Sequence, residues 1–185
     1  LDPSSAASDV YKRQAFIMKA GKAVRRSEIS PSCSAEYPFP VFGGNGVRGY
    51  IDRASNPGGS VLVGRQGALC GNVSWSSGDF YATEHAIVVN PRGQMERRWI
   101  FHMLKVMKLS QFATKSAQPG LSVERLKSVP IPIPSLENQK RIASVLDKFD
   151  VLVNDINVGI PAEIAARRKQ YEYYRDKLLT FKELS

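Results

Sequence analysis

Six polar side chains in or near glycine-containing segments are the residues of this sequence best suited to contact another molecule. They are Arg48, Arg65, Gln66, Asn72, Lys115 and Gln118. Arginine pairs with guanine, asparagine and glutamine pair with adenine, and lysine and arginine bind phosphate. Glycine in such segments lets the backbone come close to a ligand. Each side chain alone is typical of a solvated turn, so the prediction of a DNA-binding surface depends on the whole set.

The charge of the chain supports that prediction. The 185 residues include 26 Lys and Arg against 17 Asp and Glu, a formal net charge of +9. Residues 91–127 hold eight Lys or Arg and two Glu, so two thirds of the excess charge lies in one stretch with a local net of +6. A strongly basic chain favours nucleic acid as its large partner.

Composition excludes several classes of protein. A hydrophobic share of 43% with 23% charged residues is ordinary for a globular chain and excludes wholesale disorder. No apolar stretch approaches the roughly 18–20 residues of a membrane span, so we expect no membrane partner. Cys33 and Cys70 cannot form a disulfide framework, which predicts reduced thiols in a cytoplasmic protein.

One glycine-rich motif resembles a nucleotide-binding site in sequence. Residues 44–49 (GNGVRG) match the G-x-G-x-x-G pattern of dinucleotide-binding proteins. That site requires a helix directly afterwards and an acid about twenty residues on. Residues 50–59 (YIDRASNPGG) do not favour a helix, and residues 61–69 contain no acid. The motif therefore predicts a β-hairpin, with Asn45-Gly46 at its turn.

Residues for catalysis or metal binding are also missing. Cys33, Cys70, His85 and His102 show no metal-ligand spacing. We interpret His85 as a strand histidine satisfied by hydrogen bonds and His102 as a solvated helix residue, and nothing indicates an activated Cys70. No lysine follows an acid by two residues, as metal-dependent nucleases require. The sequence predicts no catalytic residue and no metal site.

The elements that must position the polar side chains are short strands and one helix. Apolar runs at residues 37–42, 60–63, 72–75 and 86–89, separated by turn residues, predict strands. In residues 96–109 the spacing changes to three and four, which predicts a helix. Its apolar face would hold Trp99, Ile100, Met103, Leu104 and Met107, with Arg98, His102, Lys105 and Lys108 opposite.

A proline-rich segment marks the main boundary. Residues 129–134 (VPIPIP) enforce an extended backbone, and Ser135 then offers an N-cap to a long helix. At about 1.5 Å per residue, residues 135–181 would span about 70 Å, with a kink expected at residues 159–161. The apolar seam of this helix needs a partner; it consists of Ile142, Val145, Phe149, Leu152, Ile156, Ile164, Tyr171, Tyr174, Leu178 and Phe181.

Three segments are therefore expected. Residues 1–14 (LDPSSAASDVYKRQ) are small, polar and aperiodic, and we interpret them as a non-native or disordered segment outside the fold. Residues 15–134 form the binding domain, and residues 135–185 form a helical spacer or docking arm. Because the chain begins with Leu, we expect a fragment or a translation that starts within a reading frame.

A series of motifs resembles the specificity subunit of type I restriction-modification systems. The resemblance spans residues 19–181, and the order and spacing of its motifs are more specific than any one of them. They are residues 37–46 with Tyr50, 64–67 (GRQG), 118–121 (QPGL), 129–134 with 137–143 (ENQKRIA), and 168–181 (RKQYEYYRDKLLTF).

The resemblance implies a fold of the α/β class in its α+β form. A target recognition domain with a mixed, mostly antiparallel small sheet and helices would precede a long coiled-coil helix. Each such domain reads one half of a split double-stranded DNA target in this family, and the helices set the spacing. The chain would bind no cofactor itself, whereas S-adenosylmethionine, ATP and Mg²⁺ would be bound by partner subunits.

The implied partners are methyltransferase (modification) subunits and, through the complex, the restriction subunit. Because one recognition domain and one helix are present, a second specificity half or a homodimer would complete the unit. Two alternatives remain open. One is a recognition segment of a single-chain restriction-methylation enzyme, and the other is a helical scaffold protein whose basic charge is incidental.

Overall fold

The computed structural model describes residues 9–11, 15–114 and 119–179, which fall into two compact units divided after Ala143. The first unit is an α+β fold, as the resemblance implied. Its strands are β1 (Asp9–Tyr11), β2 (Phe16–Ala20), β3 (Phe39–Gly43), β4 (Gly46–Ile51), β5 (Ser60–Gly64), β6 (Val73–Ser76), β7 (Tyr81–Ala82), β8 (Ala86–Pro91) and β9 (Pro130–Pro132). Its helices are α1 (Arg97–Val106), α2 (Val123–Ser128) and the start of α3 (Leu136–Leu179), with 3₁₀ turns at Arg26–Glu28 and Leu109–Phe112.

A four-stranded antiparallel sheet, in the order β2-β8-β5-β6, lies at the centre of this unit. Strand β5 is buried along its whole length because both faces of the sheet are covered. Successive residues of a strand point to opposite faces. Val61 and Val63 therefore pack in the cluster that includes Ile100 and Leu104 of α1, whereas Leu62 packs in another cluster.

The second face of the central sheet is covered by a three-stranded sheet of order β4-β3-β7. Phe42 and Phe80 join Leu62 and Val88 in the cluster between the layers, and their rings meet edge to face at 5.5 Å. Strands β3 and β4 are antiparallel, and β3 and β7 are parallel. The result is three layers, a helix and two sheets, in a mostly antiparallel arrangement.

Helix α1 begins where predicted and buries more of its surface than predicted. Glu96 caps it by accepting a hydrogen bond from the Arg98 N–H at 3.3 Å. It ends before Lys108, whose positive φ of 46° breaks the helical path. The interpretation of His102 as a solvated residue is wrong, because its side chain is only 6% exposed and its ring lies 5.1 Å from that of Phe101. The helix is covered on more than one side.

The amino-terminal segment also differs from the prediction. Residues 9–11, which the sequence placed outside the fold, form β1 and pair antiparallel with β9. The pairing partner is the proline-rich segment itself, in which Ile131 belongs to the main core. The other residues of the segment, 1–8 and 12–14, lie outside the described residues.

The first turns of α3 belong to the compact unit. The predicted N-cap is confirmed, because Ser135 Oγ accepts a hydrogen bond from the Asn138 N–H at 3.3 Å. Gln139 is buried, and its Oε1 accepts a hydrogen bond from the Glu96 N–H at 2.9 Å. Its Nε2 donates to the Pro134 carbonyl at 2.8 Å. The compact unit therefore extends through Ala143, beyond the boundary predicted at residue 134.

The second unit, residues 144–185, is described as helix up to Leu179. The helix is assigned without a break through residues 159–161, and the kink expected there stays a prediction. Of the predicted seam, Val145 and Phe149 are exposed, as is Ile142 at the end of the first unit. The other seam residues lie outside the part whose side chains are described, so the coiled coil stays a prediction.

Candidate nucleic-acid interface

A cleft of about 550 Å³ opens between the β3–β4 hairpin, the loop at residues 65–72 and the segment that leads into β8. Four polar side chains line it: Asn45 and Arg48 from the hairpin, Gln66 from the loop, and His85 before β8. Two apolar side chains, Val47 at 50% exposure and Leu69 at 55%, also line the cleft. Donors, acceptors and apolar groups are thus presented together on an open surface.

The hairpin side of the cleft is a tight turn. Gly43 pairs with Gly46, so Gly44 and Asn45 form its two-residue tip, and the predicted hairpin is confirmed. The positive φ of 83° falls at Gly46, one residue after the centre of the turn, which is the pattern of a turn followed by a glycine bulge. The turn places exposed Asn45 at the tip, and Arg48 lies two residues beyond Gly46.

The loop side is pinned to its neighbours by backbone hydrogen bonds. The Arg65 N–H donates to the His85 carbonyl at 2.7 Å, and the Leu121 N–H donates to the Arg65 carbonyl at 2.8 Å. Within the loop, the Gly71 N–H returns to the Gly64 carbonyl at 2.8 Å. Cys70 is buried beneath the loop, and burial raises the pKa of its thiol. The loop therefore holds Gln66 at the mouth of the cleft on a fixed backbone.

Glycines let the hairpin and the loop touch. A Cβ atom on Gly64 would overlap the Gly44 carbonyl oxygen, and a Cβ atom on Gly44 would lie 2.5 Å from the Gln66 carbonyl oxygen. No side chain fits between these backbones, so glycine is required at both positions. The two sides of the cleft are consequently a single packed unit.

One hydrogen bond and one close polar contact link three side chains around the cleft. His85 Nδ1 lies 2.6 Å from Gln66 Oε1, and His85 Nε2 lies 3.2 Å from Glu84 Oε1. The other carboxylate oxygen, Glu84 Oε2, is buried and has no hydrogen-bond partner among the described residues. The interpretation that His85 is satisfied by hydrogen bonds agrees with these contacts, although His85 precedes β8.

The structure brings together two of the six predicted contact residues, Arg48 and Gln66. Arg65 is half-buried at the end of β5, and Asn72 is exposed just before β6, but neither lines the cleft. Lys115 and Gln118 lie outside the described residues. Sequence reasoning missed Asn45, Val47, Leu69 and His85, although the Asn-Gly turn signal had already placed Asn45 at a hairpin tip.

A second concavity of about 480 Å³ adjoins the cleft and shares Arg48 with it. Arg26, Ile29 and Pro31 complete its lining. Arg26 and Arg48 form no ion pair with any described residue, so both guanidinium groups are electrostatically uncompensated. Their position suits a group of negative charge.

Nearby arginines are neutralised instead. Arg53 lies 2.6 Å from Glu28 and 3.0 Å from Asp52, and Arg25 lies 3.9 Å from Glu28. The hydrogen bond from Arg53 lowers the pKa of the Glu28 carboxyl, with a smaller contribution from the Arg25 N–H. Among the described residues, the acids of this region thus pair with Arg25 and Arg53 and with neither Arg26 nor Arg48.

Part of the basic stretch at residues 91–127 is used within the protein. Arg98 lies 4.8 Å from the ring centres of both Trp75 and Phe101, and Lys105 lies 5.4 Å from that of Phe101. Arg97 donates to the Gly59 carbonyl at 2.9 Å. These cations stabilise the packing of α1. The net charge of residues 91–127 therefore overstates the positive charge that this stretch can offer to a ligand.

Metal-ligand clusters and membrane-spanning helices are both missing from the part of the chain that the structure describes. Across the described ranges, no three His, Cys, Asp or Glu side chains converge as metal ligands would. In the same part of the chain, no helix has both the length and the apolar character that crossing a membrane requires.

A comparison against known families identifies the domain. The model of the type I restriction modification DNA specificity domain matches residues 16–166. That range covers the four-stranded and three-stranded sheets, α1, α2 and much of α3. The chain therefore belongs to the family of type I restriction-modification DNA specificity domains.

Individual relatives support the same family. The EcoprrI type I restriction enzyme specificity subunit of Escherichia coli is 50% identical over 139 residues, which are 75% of this chain and 35% of that subunit. A crystal structure of the type I restriction-modification S subunit from M. genitalium has a TM-score of 0.71 at 21% identity, covering 99% of this chain and 49% of its own.

A further solved structure concerns complex assembly and conformational transition of the type I restriction-modification system. Its matching chain has a TM-score of 0.66 at 22% identity, covering 88% of this chain and 43% of its own. Because the two solved structures are only 21% and 22% identical to this chain, their similarity to it shows the fold alone. The chain spans about a third to a half of the length of these relatives.

Proposed function

We propose that this chain is the sequence-reading part of a type I specificity subunit and recognises one half of a split double-stranded DNA target. The observation that carries the proposal is the cleft, in which Arg48, Gln66 and Asn45 stand on tight, glycine-joined backbone. Family membership supports DNA as the ligand. Arginine reads guanine and amides read adenine in the major groove, and Val47 or Leu69 suits a thymine methyl.

Phosphate contacts would hold the domain on the duplex. Arg26 and Arg48 are uncompensated in the concavity beside the cleft. We propose that Arg26 binds the DNA backbone where it passes Arg48 and the other base-reading residues, because such contacts fix register and orientation. Lys115 and Gln118 stay among the proposed contacts on residue type alone.

The proposed role is non-catalytic. The chain would dock methyltransferase subunits, and the restriction subunit would join through that complex. We expect S-adenosylmethionine, ATP and Mg²⁺ to be bound by those partners. A second half, supplied by a longer chain or a second copy, would read the other part of the target. The exposed positions Ile142, Val145 and Phe149 support a docking role for α3.

Cleft variants test the base-reading proposal. On a duplex recovered by selection, Arg48→Ala and Gln66→Ala should each lower specific affinity by about 1–3 kcal/mol, because each removes a base contact. Each should also relax selectivity at one base pair, measured with duplexes altered one position at a time. Arg25→Ala is the control, since Arg25 is exposed, paired with Glu28 and outside the cleft. Equal losses for all three variants would contradict the assignment.

A further inference from the structure

The contact between His85 and Gln66 has a consequence for which base the cleft accepts. We propose that His85 is a positioning residue that determines whether the Gln66 amide presents its N–H donors or its carbonyl oxygen to DNA. The inference rests on the proposed function, since it takes Gln66 as a base-reading residue. It assigns to His85 a part in selecting one base pair through Gln66.

The backbone holds the two residues in fixed relation. The Arg65 N–H donates to the His85 carbonyl at 2.7 Å, directly beside Gln66 in the chain. The His85 N–H lies 3.4 Å from Thr83 Oγ1, and the buried Thr83 hydroxyl donates to the Phe42 carbonyl at 3.0 Å. Both backbones are therefore anchored, and from them His85 Nδ1 reaches to within 2.6 Å of Gln66 Oε1.

The Gln66 side-chain amide carries a carbonyl oxygen on one side and an NH₂ group on the other. The group that is hydrogen-bonded to the His85 imidazole faces inward, so the other group faces outward. With Nδ1 protonated, His85 donates to Gln66 Oε1 and leaves the amide N–H groups for acceptors such as guanine O6 and N7. With Nδ1 unprotonated, the amide turns over, donates to Nδ1 and presents Oε1. An outward Oε1 accepts from adenine N6 or cytosine N4, and the remaining N–H reaches adenine N7.

Glu84 fixes the other side of the ring. Its Oε1 lies 3.2 Å from His85 Nε2, which favours a proton on that nitrogen. Among the described residues, Glu84 has no other polar side-chain partner, because its Oε2 is buried and unpaired.

The test measures, for the full chain, the affinity ratio of the selected duplex to duplexes altered at the Gln66-dependent base pair. His85→Ala should lower that ratio roughly tenfold, about the worth of one directed hydrogen bond. His85→Asn should keep the ratio, because its side-chain amide can take the place of Nδ1. Thermal unfolding of each variant checks that the domain is folded.

A double variant separates positioning from direct contact with DNA. If His85 acts through Gln66, His85→Ala should have little further effect in a Gln66→Ala background. Additive losses, or a ratio in His85→Asn as low as in His85→Ala, would overturn the inference. If the unmodified chain prefers no duplex at all, the proposed function fails instead, so the two failures are distinguishable.

Discussion

At the scale of single residues, ion pairing separates arginines that are neighbours in sequence. Arg25 and Arg53 are paired with Glu28, whereas Arg26 and Arg48 have no acidic partner among the described residues. The sequence could not reveal this division, because Glu28 and Arg53 are 25 residues apart and meet only through the fold. Free positive charge, and not the number of arginines, determines where a phosphate is bound.

Arg26→Ala should therefore weaken binding to specific and non-specific duplexes alike. Removing one phosphate-binding side chain lowers the slope of log affinity against log salt by about 1. Arg25→Ala is the matched control and should leave the slope unchanged. The measurement is a salt titration of DNA binding, and an Arg26→Ala slope equal to that of the unmodified chain would contradict the phosphate assignment.

The two cysteines should differ in reactivity. Alkylation requires the thiolate, and burial raises the pKa of the Cys70 thiol, which lowers its thiolate fraction at any given pH. Cys33 is exposed. In the folded chain an alkylating reagent should modify Cys33 well before Cys70, and both should react in denaturant, as followed by peptide mass spectrometry. Equal rates in the folded chain would show that the loop at residues 65–72 is open.

At the scale of elements, the cleft depends on the contact between two backbones. Gly64→Ala should destabilise the domain by about 1–3 kcal/mol, because the added Cβ overlaps the Gly44 carbonyl and forces hairpin and loop apart. It should also reduce DNA binding. Gly78→Ala is the control, since a Cβ there meets nothing within 4 Å. Urea unfolding measures the stability of both variants, and equal stability would contradict the packing argument.

Strands that consist of an uninterrupted apolar run could be predicted from the sequence. The strands expected at residues 60–63 and 86–89 correspond to β5 and β8, each one or two residues longer. Strand β7 has two residues and α2 has six, too short for periodicity to indicate. His102 was misjudged because a single apolar stripe was assumed for α1, and that helix is covered on more than one side.

The candidate site was less predictable than the strands. Two of the residues chosen by type, Arg48 and Gln66, line the same cleft, but nothing in the sequence links them to His85. The three meet because β5 and β8 pair antiparallel, with Gly64 opposite Ala86, and because the hairpin packs on Gly64. Such contacts are set by strand register and glycine packing, which a single sequence does not specify.

At the scale of the whole molecule, we expect α3 to take part in an assembly. Val145 at 47% and Phe149 at 59% are both exposed on this helix, and neighbouring exposed apolar side chains are typical of an interaction site. Phe149→Asp should abolish self-pairing or docking to methyltransferase subunits and leave the first unit folded. Ser144→Asp adds the same charge off the predicted seam and serves as the control. Sedimentation measures the assembly, and identical behaviour of both variants would exclude the docking arm.

Selection from a random pool of duplexes tests most directly whether this chain reads a base sequence. The full chain is incubated with the pool, with and without methyltransferase subunits, and the bound duplexes are sequenced. We predict enrichment of one short base pattern, abolished in Arg48→Ala and Gln66→Ala and retained in Arg25→Ala. Recovery of all sequences alike, with an affinity that depends only on salt, would contradict the account.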